Sequence, residues 1–187
     1  MNPLPDDSIL DVGFADREFS QVDNYLERHY PWQSQITALG IRGNEHFSLR
    51  YPDVRVVLYD GKTFPFPDKT FEIGWSNAVI EHVGNEDSQL FFVKELVRTC
   101  KKVYFTTPNR FFPVEVHTRI PFLHWLPKKY FDKILSATSK YWAAGDYMHL
   151  LSKRKLKNIF KKAGITNYRI FHNKLMGFTM DFSIIID

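Results

Sequence analysis

The sequence predicts an α/β domain built on a doubly wound, mostly parallel sheet of about seven strands with an antiparallel hairpin at the C-terminal end. Three observations predict it. Short apolar runs alternate with helical patterns from Ser8 to Thr107, which implies parallel strands joined by right-handed crossovers. The last two runs, 165–171 and 178–186, are separated by a short linker around Asn173 to Gly177, which suits a hairpin. A chain of 187 residues that is 44% hydrophobic fits one domain, 1–187, with a proper core.

Taken in order, Ser8 to Val12 is an apolar run closed by Gly13 and reads as a buried first strand. Phe19, Val22, Tyr25 and Leu26 fall near helical spacing, so a helix is expected from Phe19 to Tyr30, where Pro31 ends it. Gln35 to Ile41 is a second strand and Asn44 to Tyr51 a short helix, with Asn44 as N-cap. Val54 to Tyr59 is a third strand, and the Pro- and Gly-bearing stretch 60–69 is a loop. Phe71 to Ser76 is a fourth strand. The amphipathic segment from Asp87 to Cys100 turns Leu90, Phe91, Val93, Leu96 and Val97 to one side, and Lys102 to Thr107 is a fifth strand stopped by Pro108. Ser152 to Ala163 is a basic helix with Leu156, Ile159 and Phe160 inward and Gly164 closing it.

Between these lies 109–147, crowded with Pro, Trp, Phe, Tyr and His and holding one predicted helix, Lys128 to Ala137. Connections in compact domains usually run about 4–6 residues, so a segment this long is expected to carry function as an inserted cap.

Composition narrows the function classes. The single cysteine, Cys100, excludes an internal disulfide framework and reads as a packing residue. No apolar run is long enough to span a bilayer and the start shows no basic and apolar leader pattern, so the expected location is cytoplasmic. Residues 1–100 carry a net charge of −7 and residues 101–187 one of +11. The basic half is either a solvated surface or a face for a phosphorylated substrate or an anionic membrane. No nucleic-acid-binding motif accompanies it, so nucleic acid is not an expected partner. His82, His117, His124 and His149 lack zinc-site spacing and have no Cys partner; no metal is expected.

In an open α/β sheet, ligands bind outside the carboxyl ends of the strands where strand order reverses. That rule selects the loops after Val12, Ile41, Tyr59 and Trp75. The third loop, Asp60-Gly61-Lys62-Thr63-Phe64-Pro65-Phe66-Pro67-Asp68, leads into Phe71-Glu72-Ile73-Gly74-Trp75-Ser76 and Asn77-Ala78-Val79-Ile80-Glu81-His82-Val83. Together with Asp11-Val12-Gly13, Thr107-Pro108-Asn109-Arg110 and His149-Leu150-Leu151-Ser152, this stretch resembles the class I S-adenosylmethionine-dependent methyltransferases of bacterial small-molecule type, with their Rossmann-like fold.

The resemblance implies S-adenosylmethionine as cofactor. It implies that Asp11 and Gly13 hold the methionine end, that Asp60 and Gly61 face the adenine, and that Ser76 and Asn77 line the floor near the sulfonium. For Asp60 a turn role, with the side chain bonded to its own backbone, competes with this. Two departures stand out. Phe14, Ala15 and Asp16 replace a Gly-rich first loop, and the second strand ends in Gly40-Ile41 without the acid that pairs ribose hydroxyls in the family.

The implied reaction is methyl transfer to a small-molecule acceptor, with a lipid or sugar intermediate among the candidates. A non-catalytic descendant serving as a binding or assembly module is the alternative. His82 and His117 are the candidate bases, for an acceptor that must lose a proton. A helix-start histidine and a structural tie within the insert are the competing roles for them. The aromatic and basic segments from Phe111 to Lys129 suit an acceptor cap, a membrane-interface contact or simple cover for the sheet.

Overall fold

Seven strands form one sheet: β1 (Ile9–Val12), β2 (Ile36–Gly40), β3 (Arg55–Leu58), β4 (Phe71–Asn77), β5 (Cys100–Pro108), β6 (Tyr168–Leu175) and β7 (Phe178–Ile186). Their order is β3-β2-β1-β4-β5-β7-β6. The structure, a computed structural model, describes residues 1, 3–115 and 117–187. β1 pairs in parallel with both β2 and β4, so that Ile9 faces Ile36 on one side and Ile73 on the other. β1 is buried at every position, as a strand covered on both faces must be. Strand order reverses at β1 and β4, and the carboxyl ends of these two strands carry Gly13 and Asn77.

Among the described residues five α-helices accompany the sheet: α1 (Tyr25–His29), α2 (Glu45–Arg50), α3 (Glu86–Thr99), α4 (Lys128–Ser136) and α5 (Lys153–Lys162). α5 buries Leu156, Ile159 and Phe160 as its spacing predicts, and Ser152 Oγ accepts the Lys155 amide at its N-terminus. It closes on Gly164 at φ 73°, where the Ile165 amide returns to the Phe160 carbonyl. The β6–β7 hairpin turns on Met176 and Gly177, both left-handed, as a two-residue turn matched to strand twist requires.

Two expectations fail for identifiable reasons. The predicted helix from Phe19 shrinks to the five residues of α1, and Phe19 is 91% exposed. Asp23 takes the Phe19 and Ser20 amides, and Asn24, itself left-handed at φ 47°, bonds both backbone groups of Ala15. Short polar side chains have captured the backbone in turns there. In α3 the inward row is Gln89, Phe92, Val93 and Leu96, while Phe91 is exposed, because the i, i+3, i+4, i+7 series starts at position 89. Cys100 is buried with a thiol pushed up to about 11 by burial, and its sulfur would stand 2.8 Å from any Cβ at Gly74, so it is a packing residue.

The chain divides into two compact units. The first comprises residues 1–77, 95–105 and 186–187; the second comprises 78–94 and 106–185. The first has a core of Ile9, Tyr30, Ile36, Ala38, Phe47, Tyr51, Val54 and Ile73. In the second, Phe131, Leu135, Ala143, Met148 and Leu150 form a cluster with Ile120 and Leu123 against it. The segment 109–147 therefore has apolar packing of its own. Among the described residues no helix is long and apolar enough to cross a membrane.

Candidate active site

In the first unit the loop after β1 begins at Gly13, whose φ of 99° is open to glycine and strained for other residues. The loop is then fixed by polar side chains. Asp16 Oδ1 accepts the His46 and Phe47 amides and so caps α2, a task that the Asn44 side chain does not perform. Glu18 pairs with Arg28 and Arg50 and accepts from the Tyr51 hydroxyl at 2.6 Å. The Phe14 ring covers Gly40: a Cβ there would lie 2.5 Å from Phe14 Cε1. Phe14 thus occupies the end of β2, where the sequence resemblance leads to the expectation of an acid.

The loop after β3 is held from α3. Arg98 donates to the Phe64 and Phe66 carbonyls, to Glu95 and to Asp68, while Glu95 accepts the Phe64 amide at 2.8 Å. Gly61 turns at φ 79°. Asp60 Oδ1 accepts the Lys62 amide at 3.0 Å, so one carboxylate oxygen serves the turn. Ser76 is buried and donates to the Val12 carbonyl at 3.0 Å, tying β4 to β1; Asn77, the last residue of β4, is exposed.

One feature of this region lies outside the motif. Asp11 is buried beside Glu27, which is fully buried in α1. Burial, then the Glu27 charge, raises the Asp11 carboxyl well above the usual carboxylate range, and burial raises Glu27 too. The two carboxyls share a hydrogen bond, and Glu27 makes no other side-chain hydrogen bond of ordinary geometry. Two acids buried against each other disfavour a charge on both, and a cationic ligand offsets that cost. The pair therefore fits an ammonium-bearing ligand such as the amino-acid end of S-adenosylmethionine.

The second unit brings His82 and His117 together, 35 positions apart in the chain. Their Nε2 atoms are 3.1 Å apart. His82 Nδ1 donates to the Tyr147 carbonyl at 2.8 Å, and a carbonyl only accepts, so this nitrogen carries the proton. His117 Nδ1 lies 2.7 Å from Glu115, whose oxygens also accept the His117 and Thr118 amides. Val116, between them, lies outside the described residues. Burial alone would raise Glu115, but these hydrogen bonds outweigh it and hold its carboxyl at about 2. Burial would lower His117, yet the Glu115 hydrogen bond and charge raise it, while burial lowers His82. A hydrogen bond between the two Nε2 atoms needs one proton between them, and the opposite shifts favour His117 as the ring that carries it.

Glu81 completes the cluster. It is fully buried, accepts from Thr107 Oγ1 at 3.0 Å with one oxygen, and leaves the other without a partner. Burial pushes its carboxyl up to about 7. One oxygen of Glu81 and one nitrogen from each of His82 and His117 lie within 4.8 Å of one another, and such atoms also suit a divalent cation. A shared proton already satisfies the 3.1 Å contact between the histidines. Glu81 and Tyr147 are the members that sequence reading missed. Glu81 stands beside a quoted histidine; Tyr147 acts through its backbone, which leaves no signal in residue type.

A family model described as a methyltransferase domain matches residues 10–103, half of the chain. The chain belongs to the methyltransferase-domain family. The match covers every loop of the first unit just described, and S-adenosylmethionine is the methyl donor of this class I methyltransferase. No curated protein matches the sequence. Among solved structures, a SAM-dependent methyltransferase from Methanosarcina mazei is similar at 15% identity and TM-score 0.61, over 98% of this chain and 92% of that one. One from Aquifex aeolicus matches at 16% identity and TM-score 0.56, over 96% and 81%. A possible histamine N-methyltransferase from Thermotoga maritima matches at 16% identity and TM-score 0.56, over 97% and 82%. Likeness at such identity is likeness of fold.

Proposed function

We propose that this methyltransferase acts on a small-molecule acceptor, with a lipid or sugar intermediate among the candidates, and that the His82–His117 pair takes the acceptor's proton. The observation that carries this reading is the pair itself. Both Nδ1 atoms are anchored, one on Tyr147 and one on Glu115, so that both Nε2 atoms are turned to one place. That is how a general base is oriented: a second group fixes one nitrogen and leaves the other for chemistry.

When bound, S-adenosylmethionine supplies a methyl group on a sulfonium. In the same reading Asp11 and Glu27 meet its ammonium, Gly13 and Gly61 let the backbone approach, Asp60 offers its remaining oxygen to the adenine, and Ser76 and Asn77 form the floor. The residues' own task on the acceptor side is simple. The pair gives up its shared proton to solvent, one Nε2 then accepts the O–H or N–H proton of the acceptor, and the acceptor's freed lone pair receives the methyl. The segment 109–147, which supplies Glu115, His117 and Tyr147, acts as the acceptor-selecting cap of a single methyltransferase domain.

Calorimetry and turnover on one set of variants test this. Gly13→Val should abolish S-adenosylhomocysteine binding in a folded protein. His82→Ala and His117→Ala should keep that binding and lose turnover. Unchanged cofactor affinity in folded Gly13→Val removes the cofactor assignment, and full turnover in both histidine variants removes the base.

A further inference from the structure

The second unit holds a cavity of about 150 Å³ that the methyltransferase match does not reach. Arg110, Lys128 and Lys155 line it together with His124 and His149, and among the described side chains no carboxylate does. Phe131 and Met148 give it an apolar wall. The local fold builds it deliberately. Asn109 bridges in parallel to Leu151, and the Arg110 amide donates to the Leu151 carbonyl at 2.9 Å, which sets the Arg110 side chain beside the start of α5.

The three cations are not equivalent. Lys128 is already held by Asp132 and the Gly145 carbonyl. Lys155 projects from the first turn of α5 and its charge reaches Glu86, but among the described residues no carboxylate pairs with it closely. Arg110 has no carboxylate partner among the described residues. A planar guanidinium in a half-enclosed site matches a carboxylate or phosphate through two parallel hydrogen bonds. His124 adds part of the wall. It is 4% exposed, and its Nε2 donates to the Phe112 carbonyl at 2.9 Å. Its Nδ1 faces the Arg110 carbonyl at a geometry looser than an ordinary hydrogen bond, so both ring nitrogens are turned to backbone carbonyls.

We infer that this cavity binds the anionic group of the acceptor, a phosphate monoester or carboxylate on a small body. Arg110 and Lys155 take the anion, and the His124 ring forms part of the wall. The inference deepens the small-molecule reading and rests on it. It also differs from a general basic surface. A second, more open groove shares Arg110 and Lys155 but continues over Arg154, Lys157 and Lys161, and a membrane or any polyanion would settle there.

The test is calorimetric titration of the whole chain with phenyl phosphate, without cofactor, against phenol as the uncharged control. Cofactor binding and turnover play no part, so failure here is separate from failure of the methyl-transfer reading. Phenyl phosphate should bind and phenol should not. Arg110→Gln and Lys155→Gln should each weaken binding at least tenfold, while the Lys157→Gln/Lys161→Gln double variant changes it less than twofold. A parallel flotation assay with phosphatidylglycerol vesicles separates the sources: the double variant should lose vesicle binding if the outer groove reads lipid. Equal affinity for phenol, or a larger loss in the double variant than in Arg110→Gln, overturns the cavity assignment.

Discussion

The two units carry their candidate residues in different ways. In the first unit the candidate positions follow one another along strand ends: Asp11 within β1 and Gly13 just after it, Asp60 and Gly61 after β3, Ser76 and Asn77 at the end of β4. In the second, Glu81 and His82 come from one stretch of chain, Glu115 and His117 from another, and Tyr147 from a third. The first set depends on backbone shape, which glycines and turn residues write into local sequence. The second depends on side chains that only tertiary folding gathers. The family match, residues 10–103, covers all of the first set and, of the second, only Glu81 and His82.

The sharpest way to break this comparison is to remove one imidazole. A positioned general base contributes about 10²–10⁴-fold. His117→Ala should lower kcat on that scale and leave S-adenosylhomocysteine affinity within twofold by calorimetry. A parallel collapse of cofactor affinity would show that the two sets are not separable. Chelator treatment of the wild-type protein should leave kcat unchanged if the pair holds a proton rather than a cation.

Gly13→Val attacks the other set and should have the next largest effect. Holding a β-branched residue at the φ of 99° seen here costs on the order of 1–3 kcal/mol. Cofactor affinity should fall at least tenfold, and the melting temperature should drop by a few degrees. A mutant that melts early yet binds S-adenosylhomocysteine as before would show that Gly13 serves the fold alone.

Physical reasons explain how much was legible beforehand. The parallel strands, α5 and the hairpin were readable because apolar spacing and Gly164 and Gly177 specify them locally. The seven-stranded order confirms the doubly wound sheet. The helix after β1 was misread because Asp23 and Asn24, polar residues that favour turns, sat inside an apolar spacing that looked helical. The Asp11–Glu27 contact was invisible, since nothing in Tyr25 to His29 marks Glu27 as buried. The histidines were named singly, but not as a hydrogen-bonded pair. Their contact depends on a turn in which Glu115 accepts two amides and then holds the ring, a geometry that composition does not encode.

A smaller effect concerns the clamp on the Asp60 loop. Arg98 is partly exposed, so its ion pair with Asp68 is screened, but Glu95 is buried and would lose its cation. Arg98→Ala should destabilise the protein by about 1–2 kcal/mol, in line with loss of hydrogen bonds to a charged group. Urea unfolding measures this. Loss of cofactor affinity beyond the stability change would place the loop's shape, and not only its anchoring, in the binding reaction.

The smallest expected effect is also the most specific to the second set. His117 titrates above the ordinary imidazole range because the Glu115 hydrogen bond and charge outweigh its burial; Glu81, His82 and Tyr147 are its other titratable neighbours. The base form of the pair is the one that has lost the proton shared between the two Nε2 atoms. Turnover should therefore be low at acid pH and rise as pH passes upward through the raised His117 value. Glu115→Gln keeps the shape of the acceptor but removes its charge, so the pair should lose its proton more readily. The acid limb of the kcat profile should then move to lower pH, with the plateau reduced because the ring is less firmly oriented. Burial alone would act in the same direction, lowering His117 once the carboxylate is gone. An acid limb that stays in place, or moves to higher pH, would mean that Glu115 fixes the cap without tuning the base.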